Sequence, residues 1–208
     1  IGSKVADLLR GDGHTVVAAS RASGADVLTG AGLTDALEGA EVLVDVTNSP
    51  SFDDDPVMDF FTRSSANLVS AAKAAGVGHY VALSIVGADG LPDSGYLRAK
   101  VVQEKMIAGS GLPYTIVRAT QFQEFADAIV DSLDAGDEVR TPDALIQPIA
   151  ADDVAAEVAR VAVAPPRNGI VDIGGPDKIS FADLARTVLA RRGSGKRVVV
   201  DSRATYFG

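Results

Sequence analysis

The sequence predicts an α/β domain in which a mainly parallel, doubly wound β-sheet is covered by helices on both faces. Short segments rich in Val, Ile and Leu alternate along the 208 residues with longer segments of helical periodicity. The connections between them are short and rich in Gly, Asp and Pro. We expect a single domain over residues 1–208, in which residues 136–208, where strict alternation stops, contribute a smaller C-terminal lobe.

Composition restricts the classes of function. The net charge is −9, there is no basic run, and the chain contains no Cys and two His. Nucleic acids and anionic membranes are therefore not expected partners, and neither a disulfide framework nor a metal cluster is expected. Because no apolar run is long enough to span a bilayer and no signal peptide is evident, we expect a cytoplasmic protein. The oligomeric state stays open, a homodimer included.

The first segments predict a helix over residues 2–10, with an apolar stripe on one side, and then a strand at His14–Ser20. A doubly wound sheet has one more strand and a glycine-rich turn before such a helix, and this sequence contains neither. Gly2 would be the last glycine of that turn, where the helix packs closely on the sheet. A glycine at an ordinary helix start explains Gly2 equally well.

The residues after the predicted second strand bear on the choice of cofactor. A dinucleotide fold that prefers NAD usually has an Asp or Glu there to bind the ribose hydroxyls, whereas this chain has Ser20 and Arg21. An arginine can pair with the 2′-phosphate of NADP, so the sequence favours NADP over NAD. An ordinary exposed arginine is the alternative. In the same layout, Asp26 and Val27 would lie beside the adenine.

The remaining segments continue the alternation. We predict strands at residues 41–46, 80–83, 114–117, 145–149, 169–173 and 197–200, and helices near residues 33–37, 57–75, 96–108, 122–133, 152–163 and 180–189. Thr47 and Asn48 follow one strand and can line the cofactor ribose and phosphates, although the stretch is also plain turn chemistry. The run Asp53–Asp55 is better explained by a helix N-terminus than by a metal site.

The stretch from Ser84 to Lys100 carries the clearest chemistry. Ser84 ends a buried strand, at the sheet edge where open α/β sheets bind ligands. Tyr96 and Lys100 are four residues apart, which places them on one face of the following helix. A lysine charge beside a phenol favours proton transfer, and a serine can hold the reacting carbonyl oxygen. Tyr-x-x-x-Lys also arises by chance, with a packing tyrosine and a solvated lysine.

A second strand end adds two candidates. Thr120 and Gln121 follow the predicted strand at residues 114–117, so they can face the nicotinamide or the substrate.

In combination, these segments resemble the short-chain dehydrogenase/reductase superfamily, and within it the atypical NmrA-like branch of NAD(P)-binding proteins. The resemblance covers nearly the whole chain and is carried by I-G-S-K-V-A-D-L-L, A-A-S-R, A-L-S-I-V-G-A-D, Y-L-R-A-K, S-G-L-P-Y-T-I-V-R-A-T-Q-F and D-I-G-G-P-D-K-I-S-F-A-D-L-A. It implies a Rossmann-like fold whose first strand and glycine turn are missing from this sequence.

The resemblance also implies roles for single residues. Ser84, Tyr96 and Lys100 match the catalytic serine, tyrosine and lysine of the superfamily. Tyr96 would be the general acid that protonates the carbonyl oxygen, and Lys100 would also hold the nicotinamide ribose. Gly2 matches the end of the T-G-x-x-G turn.

Two main functions are consistent with this resemblance. One is an NADPH-dependent reductase of a small carbonyl, enone or quinone substrate, and the other is an NmrA-like regulator that senses NAD(P) and binds a protein partner without turnover. The presence of Ser84, Tyr96 and Lys100 together favours the enzyme. A sugar-nucleotide epimerase or dehydratase is a third alternative, disfavoured by the short C-terminal region.

Overall fold

The computed structural model describes residues 1–206, in which helices and strands are interspersed along the chain. The strands are β1 (Val42–Asp45), β2 (His79–Ile85), β3 (Tyr114–Ala119), β4 (Glu138–Thr141), β5 (Leu145–Ile146), β6 (Gly169–Ile173), β7 (Ile179–Ser180) and β8 (Arg197–Val200). The α-helices are α1 (Gly2–Gly11), α2 (Leu33–Ala36), α3 (Asp54–Ala75), α4 (Gly95–Ala108), α5 (Ala126–Ser132), α6 (Ala151–Ala162) and α7 (Phe181–Arg192).

The largest sheet has the strand order β1-β2-β3-β6. β1 and β2 pair in parallel, with Val42 opposite His79 and Asp45 opposite Ala82. Five of the seven residues of β2 are buried, and the other two are partly buried. A strand buried on both of its faces is typical of a parallel sheet covered by helices, so the α/β prediction is confirmed.

The chain divides into two compact units, and this sheet belongs to the first, residues 1–118 and 152–173. Helices α3 and α4 pack on β2 and β3 through a shared apolar cluster. Its buried members include Leu68, Ala72, Tyr80, Ala82, Ile107 and Ile116. An ion pair of 2.5 Å between Lys4 and Asp152 joins α1 to α6.

The second unit comprises residues 119–151 and the chain from Gly174 onward. There β4 pairs in parallel with β8, and β5 pairs antiparallel with β7. Helices α5 and α7 close its own apolar core, which includes Ile129, Val130, Val139, Phe181, Leu184 and Val188. The predicted C-terminal lobe, residues 136–208, is thus divided. Residues 136–151 and the part from Gly174 onward belong to the second unit, whereas residues 152–173 belong to the first.

The predicted strand at His14–Ser20 is wrong. The segment runs from the end of α1 to the turn at Arg21 without strand structure, and Val17 is 65% exposed. A strand requires a neighbour that pairs with its backbone N–H and C=O groups. Among residues 1–206, no segment provides that ladder, so the β propensity of the side chains alone does not form a strand.

The other elements follow the sequence prediction closely, with shifts at their ends. Helix α3 begins earlier than predicted, so Asp54 and Asp55 occupy its first turn, where the helix dipole favours negative charge. The predicted strand at residues 145–149 shortens to β5, and β4 and β7 were not predicted. None of the helices described here is long and apolar enough to cross a lipid bilayer.

One histidine lies inside the sheet. His79 of β2 is 3% exposed, and its Nε2 lies 2.9 Å from Thr115 Oγ1 of β3. Burial lowers the pKa of His79 below the usual 6.5, and the backbone of Ala164 opposes this shift. The folded protein therefore keeps His79 neutral in a pH range where the unfolded chain binds a proton.

The free energy of unfolding is expected to decrease as the pH is lowered below about 6.5. The reason is that His79 binds a proton in the unfolded state at these pH values but stays neutral in the folded state. The free energy of unfolding should decrease by up to about 1.4 kcal/mol for each pH unit from this group. Urea unfolding at pH 7.5, 6.5 and 5.5 measures the effect. His79→Gln should flatten the dependence and His14→Gln, at an exposed histidine, should not. An identical slope in the wild type and His79→Gln would contradict the assignment.

Candidate active site

Ser84 lies near the carboxyl end of β2, as the sequence predicts. Its side chain is 3% exposed, and among residues 1–206 its Oγ has no hydrogen-bond partner. Leaving a buried hydroxyl unpaired costs about 1–3 kcal/mol, and native structures rarely tolerate this without a reason. The Ser84 oxygen is therefore suited to bind a polar atom of a ligand.

The first turn of α4 lies directly against α3. A methyl group at Gly95 would be 1.9 Å from Asp54 Oδ1 and 3.0 Å from Asp54 Cα. Ser94 caps the helix through its side chain, and Arg98 forms a 2.6 Å ion pair with Asp54. These contacts fix the start of α4, and with it the position of Tyr96.

Tyr96 points its hydroxyl group toward the loop after β1. The Tyr96 hydroxyl donates a hydrogen bond of 3.0 Å to Asn48 Oδ1. Its ring makes edge contacts with Phe52 and Phe61, at centroid distances of 5.1 and 6.0 Å. Burial raises the pKa of Tyr96, and the hydrogen bond with Asn48 opposes the rise. The phenol is therefore protonated at neutral pH and can act as a proton donor.

Lys100 lies one helical turn after Tyr96 and is 3% exposed. Its Nζ donates a hydrogen bond of 2.8 Å to the Leu83 carbonyl oxygen and another to Gln103 Oε1. Burial lowers the pKa of Lys100 to about 8, while the negative charges of Asp45 and Glu104 oppose this shift. The side chain is thus an ammonium at neutral pH that loses its charge in mildly alkaline solution.

These hydrogen bonds hold α4 at the carboxyl ends of two neighbouring strands. Lys100 binds the carbonyl group of the residue directly before Ser84, and Tyr96 binds the residue three positions after Asp45, the last residue of β1. Ser84, Tyr96 and Lys100 therefore belong to one end of the sheet. Their assignment as the catalytic residues stays a prediction.

Three buried polar residues beneath the site were not predicted. The Asp45 carboxylate accepts hydrogen bonds of 2.9 Å from both the Tyr80 hydroxyl and Gln103 Nε2. The sequence held a partial signal, because Asp45 interrupts the otherwise apolar run from Val42 to Val46. A charged residue in a buried strand requires partners, but the sequence does not show which ones.

The start of α1, where the sequence predicts that Gly2 holds the cofactor phosphates, lies close to the end of β1. A methyl group at Gly2 would be 3.3 Å from Val46 Cγ2, so glycine permits this close approach to the end of β1. Within residues 1–206, no side chain caps the N-terminus of α1, and free N–H groups at a helix start attract phosphate. Thr47 and Asn48 follow Val46 directly, which brings them to the same end of the sheet.

The residues predicted to bind the ribose and adenine form a local cluster. Ser20 makes a reciprocal capping interaction with Ser23 at the start of a short 3₁₀ turn. The side chain of Arg21 is 75% exposed, and its Nε lies 3.3 Å from Asp26 Oδ2. The hydrogen bond from the Leu28 N–H, opposed by burial and supported by Arg21, lowers the pKa of Asp26. The terminal nitrogens of Arg21 are therefore accessible to a phosphate.

The two candidates after β3 lie in the second unit. Thr120 Oγ1 is buried without a hydrogen-bond partner among residues 1–206. The Gln121 carbonyl oxygen accepts a hydrogen bond of 2.9 Å from the Ile149 N–H. Their role at the nicotinamide or the substrate stays a prediction.

Comparison with known protein families identifies the family of this chain. A family model described as NAD(P)H-binding matches residues 1–165. The chain belongs to this family. The resemblance to the atypical short-chain dehydrogenases/reductases is thereby confirmed. No curated protein sequence matches the chain.

Solved structures share the Rossmann-like fold. The NADPH-dependent quinone oxidoreductase QOR2 of Escherichia coli, complexed with NADPH, is 28% identical with a TM-score of 0.65, over 96% of this chain and 66% of that one. The triphenylmethane reductase of Citrobacter sp., complexed with NADP(H), is 21% identical with a TM-score of 0.60, over 83% of this chain and 59% of that one. MoeE5, in complex with UDP-glucose and NAD, is 18% identical with a TM-score of 0.69, over 97% of this chain and 86% of that one.

The chain spans 66% of the length of the quinone oxidoreductase and 59% of the length of the triphenylmethane reductase. At 21% and 18% identity, the triphenylmethane reductase and MoeE5 show the fold alone. The activity of this chain therefore has to be argued from its own residues.

Gly95→Ala is expected to lower the free energy of unfolding by roughly 1–3 kcal/mol, because the added methyl group overlaps Asp54. The control is Gly90→Ala, since a methyl group at Gly90 meets no atom within 4 Å. Urea unfolding of both variants gives the comparison. Equal stability of the two variants would show that α4 does not depend on this contact.

Proposed function

We propose that this chain is an NADPH-dependent oxidoreductase that reduces a small carbonyl, enone or quinone compound. The observation that carries the proposal is the placement of a protonated phenol, Tyr96, and a buried ammonium, Lys100, at the carboxyl ends of β1 and β2. The unpaired Ser84 hydroxyl lies at the end of β2 as well. A carbonyl reductase needs such a donor, such a cation and such a hydroxyl.

The cofactor is proposed to lie along the ends of the strands. Gly2 and the start of α1 would hold its phosphate groups, Thr47 and Asn48 would line the neighbouring ribose, and Lys100 would hold the nicotinamide ribose. Bound NADPH supplies a hydride. The neighbour that is 28% identical was crystallised with NADPH, which supports this choice of cofactor over NADH.

The exposed Arg21 is proposed to bind the 2′-phosphate of NADPH. An arginine pairs with a phosphate through two parallel hydrogen bonds, and its own carboxylate partner, Asp26, contacts only Nε at 3.3 Å. Ser20 precedes Arg21, and Asp26 and Val27 would flank the adenine.

Tyr96 is proposed to supply the proton of the reduction. The substrate oxygen would accept hydrogen bonds from Ser84 and Tyr96, and the Tyr96 proton would pass to that oxygen as its carbon gains the hydride. The resulting phenolate is stabilised by the positive charge of Lys100, one helical turn away, until solvent returns a proton. The net change at the substrate is the addition of one hydride and one proton.

A second candidate function is an NAD(P)-sensing regulator without turnover. The observation that favours it is the burial of Lys100, whose ammonium already binds the Leu83 carbonyl group and Gln103. A chain in which Lys100 stayed committed to these partners would bind the dinucleotide and transmit its presence to a protein partner. Tight NADPH binding without turnover on any carbonyl, enone or quinone would support this alternative.

Tyr96→Phe is expected to lower kcat for reduction by roughly 10²–10⁴-fold, the usual loss when a general acid is removed. The dissociation constant for NADPH should change little, because the ring and its contacts stay. NADPH oxidation, followed by absorbance against quinones, enones and ketones, measures kcat. Tyr114→Phe, at a partly buried tyrosine of β3, is the matched control. Unchanged turnover in Tyr96→Phe would mean that the proton comes from another group.

Arg21→Ala is expected to weaken NADPH binding by roughly 10- to 100-fold, because a charge-assisted hydrogen bond contributes about 1.5–3 kcal/mol. NADH binding should be nearly unaffected, since NADH has no 2′-phosphate. Fluorescence titration with both cofactors measures the two affinities. Arg160→Ala removes another exposed, paired arginine of the same unit and serves as the control. Equal losses for NADPH and NADH would rule out the phosphate role.

A further inference from the structure

The Asp45 carboxylate is the most heavily hydrogen-bonded side chain beneath the proposed site. It is 2% exposed and lies at the end of β1. Oδ1 accepts hydrogen bonds from the Thr47 N–H at 3.0 Å and the Thr47 hydroxyl at 2.7 Å. Oδ2 accepts hydrogen bonds of 2.9 Å from the Tyr80 hydroxyl and from Gln103 Nε2. These four donors compensate the loss of hydration that burial imposes on a carboxylate.

The orientation of the Gln103 amide follows from its two neighbours. Gln103 is 1% exposed and lies between the Asp45 carboxylate and the Lys100 ammonium. The carboxylate only accepts hydrogen bonds, and the ammonium only donates them. The NH₂ group must therefore face Asp45, and the amide oxygen must face Lys100.

The Lys100 ammonium thereby receives a fixed position. One N–H group binds the Leu83 carbonyl oxygen at 2.8 Å, and another binds Gln103 Oε1. Nζ also lies 4.6 Å from the centroid of the Phe61 ring, where the π-electrons attract a cation. Without Gln103, the amino group would lose its link to the carboxylate and one of its two acceptors.

The ionisable groups around Lys100 are few and come from several elements. Asp45 of β1 and Glu104 of α4 are negatively charged and favour the ammonium form. Glu104 is itself paired with Arg118 of β3 at 2.6 Å. Tyr80 of β2 stays protonated, because burial and the Asp45 charge raise its pKa. Of the two carboxylates, Asp45 is the one that is linked to Lys100 by a hydrogen-bonded path, through Gln103.

The same carboxylate also acts toward Tyr96. By binding both the backbone and the side chain of Thr47, Asp45 fixes the loop after β1. The next residue, Asn48, carries the oxygen that accepts the Tyr96 hydroxyl group at 3.0 Å. One buried carboxylate is thus connected to both groups that the proposed reaction uses.

We infer that Asp45 and Gln103 are positioning residues of the proposed reductase: the path Asp45–Gln103–Lys100 holds the ammonium at the Leu83 carbonyl group, and Asp45–Thr47–Asn48 holds the Tyr96 hydroxyl group. This inference rests on the proposed function for its role in the reaction. The hydrogen-bonded path itself can be tested without turnover.

The test compares two variants. Gln103→Met has a similar length and forms neither hydrogen bond. Gln103→Glu keeps the shape and the acceptor for Lys100, but it replaces the donor to Asp45 by an oxygen and adds a negative charge. The protonation midpoint of Lys100 is measured by ¹³C NMR of labelled lysine, with the signal assigned through Lys100→Met. The midpoint should fall in Gln103→Met and rise in Gln103→Glu. Gln123→Leu, at an exposed glutamine, should leave it unchanged.

The same variants are assayed for NADPH-dependent reduction. Gln103→Met should lower kcat by roughly 10- to 100-fold, as expected for a misplaced reacting group, with KM for the substrate changed less than kcat. The alkaline limb of the pH–rate profile should move in the same direction as the Lys100 midpoint in each variant. Circular dichroism shows whether Gln103→Met folds. If it does not, the inference is tested with the isosteric Gln103→Glu alone, by its Lys100 protonation midpoint and its pH–rate profile.

Two results would overturn the inference. One is a Lys100 midpoint that is the same in the wild type and in both Gln103 variants. The other is a shifted midpoint with wild-type kcat and pH profile, which would leave the reductase intact and remove the positioning role. If the wild type reduces no substrate, the proposed function fails, and the NMR midpoints alone then decide whether the path controls Lys100.

Discussion

The buried carboxylate of Asp45 joins the elements on which the site depends. Its donors come from the loop after β1, from β2 and from α4. An ionised carboxylate in the interior is strongly unfavourable unless its oxygens are hydrogen-bonded, and removing one partner of such a group destabilises a protein by several kcal/mol. Asp45 can therefore stay buried only when β1, β2 and α4 occupy their native positions. Folding of the first unit and formation of the site are thus linked through one side chain.

Burial acts in opposite directions on the two groups of the proposed reaction. It raises the pKa of Tyr96 and lowers that of Lys100, because in both cases the charged form loses hydration. A phenol that keeps its proton is useful as an acid, whereas a lysine that loses its charge is not useful as a cation. Asp45 and Glu104 counteract this effect for Lys100, so the site combines a protonated phenol with an ammonium at neutral pH.

Much of the fold could be predicted from periodicity and turn residues. Helices α1, α3, α4, α6 and α7 and strands β1, β2, β3, β6 and β8 lie where those patterns place them, within a few residues at their ends. The predictions that were wrong or missing concern short strands or segments without a strand partner. His14–Ser20 has β propensity but no neighbouring strand, and β7 has only two residues, too few for a periodic pattern.

The sequence by itself determined the local part of the site. It placed Ser84 at a strand end, Tyr96 and Lys100 on one helical face, and Gly2 at a helix start, because each of these depends on residues nearby in the chain. Only the tertiary structure decided the partners: Asn48 for Tyr96, Gln103 and the Leu83 carbonyl group for Lys100, and Asp45 for Gln103. Asp45 and Gln103 are 58 positions apart. Such contacts depend on the order of strands and the packing of helices, which side-chain periodicity does not specify.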